Sequence, residues 1–281
     1  MARPVMLGKV PQCRRFVGVS LGGGKTDKTC LSLIEYYPKQ KKIFLSRLFE
    51  KIHSEGEVSS DLQLHSLIEQ IPRPLESVSF DVPLSLPKCL RCRLKCPGYE
   101  ACTEPEIQWL WQHQRAKNAK RKPKPLFTPY TERCAEAYVS DSLEEKFYPS
   151  QALGANMAPL TARALFITRR LKTPCQEVMP KVSLWRIGRS LGLQKSYLRF
   201  HKHSVSGGES RQAILARLLE KNVAFVYQQD QNILMENSQA FDSFLCALTG
   251  VLSYQRQCEP RPKGFPKNEA WIKIPKVKLR W

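Results

Sequence analysis

The most informative segment of the chain is Val78-Ser79-Phe80-Asp81-Val82-Pro83, and four cysteines within fourteen residues follow it. The apolar residues around Phe80 predict a short buried strand, and Asp81 stands where that strand ends. Pro83 and Pro87 cannot continue a strand or a helix because proline lacks the amide donor. The sequence therefore predicts a carboxylate at a strand end, directly before a cysteine cluster.

The residues that precede this segment predict a meander of three antiparallel strands and one helix. Glycines supply the turn between the first two strands, and Pro38 ends the second. Leucines and isoleucines at helical spacing follow Ser59-Ser60-Asp61, which can cap a helix. The expected strands are 16–20, 29–37 and 42–48, and the expected helix runs from about 61 to 71.

The residues that follow predict an insertion and then a second set of elements. We expect a helix from about 104 to 115, two more before residue 172 (one over 158–171), and a strand over 175–179 that contains Glu177. Later helices are expected at 182–191, 210–219 and 239–254, and an edge strand at 271–274. The expected organisation is one core in two halves, 1–82 and 151–275, with a cysteine-rich and basic insertion at 83–150 and a basic tail at 276–281.

This order of elements is that of the RNase H-like α/β fold, a mixed sheet flanked by helices. At four places the chain also resembles a family of uncharacterised proteins described as predicted nucleases with that fold. The matching segments are Phe16-Val17-Gly18-Val19, Phe80-Asp81-Val82-Pro83-Leu84-Ser85-Leu86-Pro87, Glu177-Val178-Met179-Pro180 and Phe241-Asp242-Ser243-Phe244-Leu245-Cys246-Ala247-Leu248. The resemblance spans most of residues 16–275 outside the cysteine insertion, and it implies a nuclease.

Three acids are the candidate catalytic residues: Asp81, Glu177 and Asp242. Phosphodiester cleavage with two divalent metals needs several carboxylates that converge in the fold. Mg²⁺ or Mn²⁺ suits such oxygen ligands. Asp81 and Asp242 are expected to be metal ligands, and Glu177 a ligand or the base that orients water. The alternative for each aspartate is local, since Asp242 could cap its helix and Asp81 the turn before Pro83.

Ser20 departs from the family pattern, which has an aspartate at this position of the first strand. A serine hydroxyl is a poor substitute for a bridging carboxylate, and Asp27 could replace it only if the glycine turn folds back. A catalytically inactive nucleic-acid-binding protein is therefore the second hypothesis.

Cys89, Cys92, Cys96 and Cys102 are the candidate metal ligands of the insertion. Four cysteines this close can present thiolates to one tetrahedral Zn²⁺ ion. A 4Fe-4S cluster is the rival, because compact cysteine runs with a Cys-Pro step also occur at such sites. The third reading is that the cysteines bind nothing.

The charge of the chain points to a polyanionic partner. Lys and Arg number 45 against 25 Asp and Glu, a formal charge of +20, and nucleic acid is the simplest such partner. A basic run (Lys117, Lys120, Arg121, Lys122, Lys124) is either a solvated linker or a phosphate-binding segment. No apolar run approaches the length of a membrane span. Ten cysteines without a secretory signal favour a reducing, cytoplasmic location.

Two further signals remain open. Leu21-Gly22-Gly23-Gly24-Lys25-Thr26 is either a hairpin turn or the phosphate loop of an ATPase related to actin and sugar kinases, with an iron-sulfur centre in the insertion. His201 and His203 are expected in a solvated loop, with a substrate role as the alternative.

Overall fold

The computed structural model describes residues 13–23, 28–118 and 128–281, apart from the side chains of 117 and 118. In these residues the chain forms a mixed seven-stranded sheet flanked by helices. The strands are β1 (Arg14–Ser20), β2 (Thr29–Tyr37), β3 (Lys42–Ile52), β4 (Leu75–Phe80), β5 (Cys175–Val178), β6 (Ala224–Phe225) and β7 (Ile272–Lys273). The helices are α1 (Ser60–Glu69), α2 (Lys88–Arg91), α3 (Pro105–Asn118), α4 (Cys134–Ser142), α5 (Ala158–Thr168), α6 (Pro180–Ser190), α7 (Lys195–Arg199), α8 (Gly207–Glu220), α9 (Gln228–Glu236) and α10 (Ser238–Tyr254).

The sheet runs in the order β6-β3-β2-β1-β4-β5-β7. The strands β1, β2 and β3 pair antiparallel, which confirms the predicted meander. The strands β4, β5 and β7 continue from β1 in parallel pairs, and β6 pairs parallel with β3 at the other edge. The carboxyl ends of β1, β4 and β5 therefore lie side by side at one end of the sheet.

The helix α10 covers one face of the sheet at unusually close range. Gly18 in β1 makes this approach possible, because a Cβ atom there would lie 1.9 Å from the carbonyl oxygen of Ser243 and 2.4 Å from the amide nitrogen of Ala247. Phe241, Phe244 and the apolar residues that follow them along the helix are fully buried in the core on this face. The position of α10 is thus set by backbone contact with β1.

The opposite face of the sheet is covered by α1 and α5. Val19 and Phe80 on neighbouring strands are fully buried there, against Leu64 of α1 and Ala164 of α5. Ser59 caps α1 as its sequence predicts, because its side chain accepts a hydrogen bond from the amide of Leu62. The sheet is therefore buried on both faces, as expected for strands with few polar residues.

Most predicted elements are present, with end shifts of a few residues. The short elements α2, α7, α9 and β6 were not predicted. The helix α4 lies within the segment interpreted as an insertion, yet its residues Cys134, Ala137 and Val139 are fully buried in the core that includes α10. The proposed domain boundaries stay predictions. Over the described ranges, no helix combines the length and hydropathy needed to cross a bilayer.

Candidate functional site

Asp81 lies at the carboxyl end of β4, beside the end of β1. The Oγ atom of Ser20 donates a hydrogen bond of 2.6 Å to its Oδ2 atom, and the amide of Leu21 donates one of 3.0 Å to Oδ1. The predicted local role of Asp81 as a cap of the turn before Pro83 is wrong, because its hydrogen bonds cross to β1. Ser20 occupies the first-strand position that the family resemblance singles out, and it contacts Asp81 directly.

Asp242 approaches the same place from α10 and is fully buried. Its Oδ1 atom lies 3.1 Å from Nε2 of His201, and its Oδ2 atom contacts the ammonium of Lys202. Asp242 does not cap α10, because the side chain of Asn237 accepts the hydrogen bonds of the first turn. The predicted alternative role of Asp242 is therefore also wrong, and its polar contacts come from the loop after α7.

The two carboxylates influence each other electrostatically. Burial and then the negative charge of Asp242 raise the pKa of Asp81 to about 6, although Lys202 and Ser20 oppose the shift. Burial alone would raise the pKa of Asp242, but Lys202 and the hydrogen bond from His201 hold it below its usual value. At neutral pH the site thus holds two ionised carboxylates, and the ammonium of Lys202 lies on their solvent side.

Lys202 pairs with Asp242 and lines a cavity. Its side chain is 58% exposed, whereas the carboxylate that it contacts is fully buried. Burial would lower the pKa of its ammonium, but the charges of Asp242 and Asp81 raise it. Lys202 is therefore an exposed cation paired with the buried carboxylate of Asp242.

Glu177 lines the same cavity but has different partners. Arg133 donates two hydrogen bonds to its carboxylate, of 2.7 and 2.9 Å, and the amide of Leu84 donates a third of 2.9 Å. Arg133 is itself buried and also binds Glu136 at 2.7 Å. These contacts tie the loop after Asp81 and the start of α4 to β5. A role of Glu177 as ligand or base stays a prediction, and its contacts favour a structural role.

Asp81, Glu177, His201 and Lys202 line this cavity, which opens at the carboxyl ends of β1, β4 and β5 and has a volume of about 530 Å³, and Asp242 is buried behind His201 and Lys202. Ligands commonly bind at this end of the strands in α/β folds. Five basic side chains besides Arg133 line it: Lys181, Arg199, His201, Lys202 and His203. A cavity that places a carboxylate under a basic rim can attract a polyanion and hold a cation at the same time.

His201 is not solvated, so the expectation was wrong for this residue, whereas His203 is exposed as expected. His201 is only 3% exposed, because the loop between α7 and α8 folds down onto the buried carboxylate of Asp242. Arg133 was not singled out at all. Neither residue has a local sequence signal, since both acquire their role from elements far away along the chain.

The four candidate cysteines lie around α2 and before α3. Burial and then the thiols of Cys102, Cys96 and Cys92 raise the pKa of Cys89. Lys88 bonds Glu104 at 2.6 Å and joins the two ends of this segment. As the described side chains stand, no group of three or more Cys, His, Asp or Glu has the geometry of a metal site. Zinc and iron-sulfur both stay predictions.

Several candidate residues lie outside the described ranges or beyond description. Two internal ranges are not described, 24–27 and 119–127. The second contains Lys120, Arg121, Lys122 and Lys124, and the first contains the end of the glycine loop, Gly24-Lys25-Thr26, and Asp27. Lys117 belongs to α3. The hypotheses of a basic phosphate-binding run, of a phosphate loop and of a rescue by Asp27 are therefore unchanged.

Comparisons of the chain with protein-family models, with curated proteins and with solved structures gave no match.

Proposed function

We propose that this chain is a divalent-metal-dependent nuclease of RNase H-like type, with Asp81 and Asp242 as metal ligands. The observation that carries the proposal is that Asp81 lines a basic cavity together with His201 and Lys202, the two residues that contact the buried carboxylate of Asp242, at the carboxyl ends of β1 and β4. The strand order β3-β2-β1-β4-β5, antiparallel only at β2, supports the same fold family, as does the family resemblance of the four sequence segments.

The donor set fits a hard divalent cation. Asp81 and Asp242 offer oxygen ligands, and the pKa of Asp81 is raised first by burial and then by the negative charge of Asp242, which a cation would offset. Bound Mg²⁺ or Mn²⁺ would activate water and stabilise charge on the scissile phosphate. Ser20 would hold Asp81 in place, His201 would orient Asp242, and the exposed ammonium of Lys202 would contact a substrate phosphate.

Cleavage of labelled single-stranded, duplex and branched DNA and RNA with Mg²⁺ or Mn²⁺ tests the proposal. Asp81→Asn and Asp242→Asn should each lower the rate about 100-fold or more, because a metal contributes several kcal/mol to the transition state. The matched control is Asp230→Asn, since Asp230 lies on α9 and does not line the cavity. Cleavage that survives in both site variants would refute the assignment.

A catalytically inactive nucleic-acid-binding protein is the second candidate. Two contacts favour it: a neutral Ser20 hydroxyl stands beside Asp81, and Lys202 already pairs with Asp242. This candidate predicts salt-sensitive binding of nucleic acid with no cleavage in any metal.

We further propose that the four cysteines bind one structural Zn²⁺ ion, with a 4Fe-4S cluster as the alternative. Besides burial, Cys92, Cys96 and Cys102 each raise the pKa of Cys89, which supports a shared site. Four thiolates with neighbouring cations suit zinc, because the cations offset the negative charge of the ligands. Elemental analysis and the visible absorption spectrum of the purified chain separate the two, since only the cluster absorbs visible light strongly.

A further inference from the structure

A second cavity, of about 710 Å³, lies at the opposite end of the sheet from Asp81. It is bounded by the β2–β3 turn, the end of α10 and the residues after β7, and we call it the tail groove. Tyr36 in its wall pairs with Arg14 at the start of β1, whereas Ser20 ends that strand. At roughly 3.3 Å per residue, the two cavities are about 20 Å apart along β1.

The tail groove is strongly basic. Five cationic side chains line it, and no acidic residue does: Lys41, Arg256, Lys276, Lys278 and Arg280. All five are exposed. Within the described part of the chain none of the five takes part in an ion pair, unlike the arginines of the carboxylate cavity. Their charges therefore add to one positive potential inside a concave surface, where field lines are focused.

These cations stand on an ordered backbone. The side-chain amide of Gln257 donates to the carbonyl oxygen of Arg280 at 2.8 Å, and the backbone oxygen of Gln257 accepts from the amide of Lys276 at 2.8 Å. The indole nitrogen of Trp281 donates to Ser190 at 3.1 Å and anchors the last residue. The basic residues of the tail are thus held against the segment that follows α10 and against the end of α6, so a ligand would not have to order their backbone.

A tyrosine ring lies beside these charges. Tyr254 is 41% exposed and packs edge-on against Phe16 and Tyr36, with ring centroids 5.6 and 6.3 Å away. Its ring is therefore fixed in orientation while part of its surface remains open. Nucleic-acid bases stack on such rings, and a single strand can offer an unpaired base together with its phosphates.

We propose that the tail groove is a second binding site for single-stranded nucleic acid, which holds backbone phosphates on its cations and a base on Tyr254. Inorganic phosphate or a lipid head group would use the cations but not the ring. The proposal shares only the class of partner with the proposed nuclease, and it needs no catalysis at Asp81 and Asp242.

Fluorescence anisotropy of a labelled single-stranded oligonucleotide, measured without added divalent metal from low to high salt, tests the site. The groove variant replaces three exposed lysines by alanine: Lys41, Lys276 and Lys278. The control variant replaces three exposed lysines outside both cavities: Lys172, Lys263 and Lys267. Log affinity decreases with log salt, and each phosphate contact contributes about 0.7 to the magnitude of that slope. We therefore expect the magnitude to decrease by about 2 in the groove variant only.

A second pair of variants separates stacking from charge. Tyr254→Ala should weaken binding about tenfold, whereas Tyr254→Phe should bind like wild type because it keeps the ring. Equal losses in the groove and control variants would overturn the proposal in favour of diffuse charge. Pyrophosphate or ATP binding that the groove variant loses, with oligonucleotide binding unchanged, would overturn it in favour of a small phosphate ligand. Because only binding is measured, absence of nuclease activity leaves the test intact.

Discussion

Replacement of Asp81 by asparagine should stabilise the fold at neutral and alkaline pH. The pKa of this carboxyl rises from 3.8 to about 6 in the folded chain, mainly through burial and then through Asp242. At about 1.4 kcal/mol per pH unit, ionised Asp81 costs the folded state about 3 kcal/mol. Asparagine carries no charge, and its amide oxygen can still accept the hydrogen bond from Ser20 or from the amide of Leu21.

The sign of the pH dependence follows from the direction of this pKa change. The folded chain binds the proton more tightly than the unfolded chain, so the contribution of Asp81 is fully favourable below pH 4 and is lost as the pH rises through about 6. We therefore expect Asp81→Asn to raise the free energy of unfolding by up to about 3 kcal/mol at pH 8, and by about half of that at pH 5.

Urea unfolding at these two pH values measures both numbers. Asp242→Asn serves as a control and should lower the free energy of unfolding. The pKa of Asp242 is held low, so its carboxylate stabilises the fold above pH 4. Addition of Mg²⁺ should narrow the difference between wild type and Asp81→Asn, since the cation stabilises only the ionised pair. An Asp81→Asn chain that is less stable than wild type at pH 8 would refute the electrostatic argument.

Three further predictions concern other parts of the chain. Glu177→Gln should lower the free energy of unfolding by about 3 kcal/mol or more, because it weakens the pairing of buried Arg133. Urea unfolding measures this change, and an unchanged free energy of unfolding would contradict a structural role for Glu177. Gly18→Ala should prevent α10 from packing, since the new Cβ would lie 1.9 Å from a carbonyl oxygen, whereas Gly208→Ala, with its nearest contact at 3.6 Å, should be tolerated; circular dichroism and thermal unfolding compare the two. Cys92→Ser should reduce the zinc content from about one ion per chain to near zero by elemental analysis, and a content unaffected by the change would place the metal elsewhere.

The strands that position Asp81 could be predicted because their signals are local. Prolines mark the ends of the apolar segments around Phe80 and Glu177, and period-two alternation marks β2. The placement of Asp242 near Asp81 was expected from the family resemblance. These predictions rest on features within a few residues of each position.

The remaining parts of the site depend on contacts between distant segments. His201 lies 41 residues before its partner Asp242, and Arg133 lies 44 before Glu177. A short polar stretch such as Arg199 to His203 looks like a surface loop, since nothing in it reveals the buried carboxylate beneath. The elements α7 and β6 were missed for a related reason: they have only five and two residues, so tertiary contacts define them.

The contact at Gly18 has a consequence for how this protein could change. A helix that rests backbone against backbone cannot slide or rotate along the strand, so the height of Asp242 above Asp81 is fixed by the two main chains. His201 and Lys202, in the loop after α7, instead reach the carboxylate of Asp242 with their side chains alone. Substitutions in that loop could therefore retune charge and ligand preference while the spacing of the two acids stays constant.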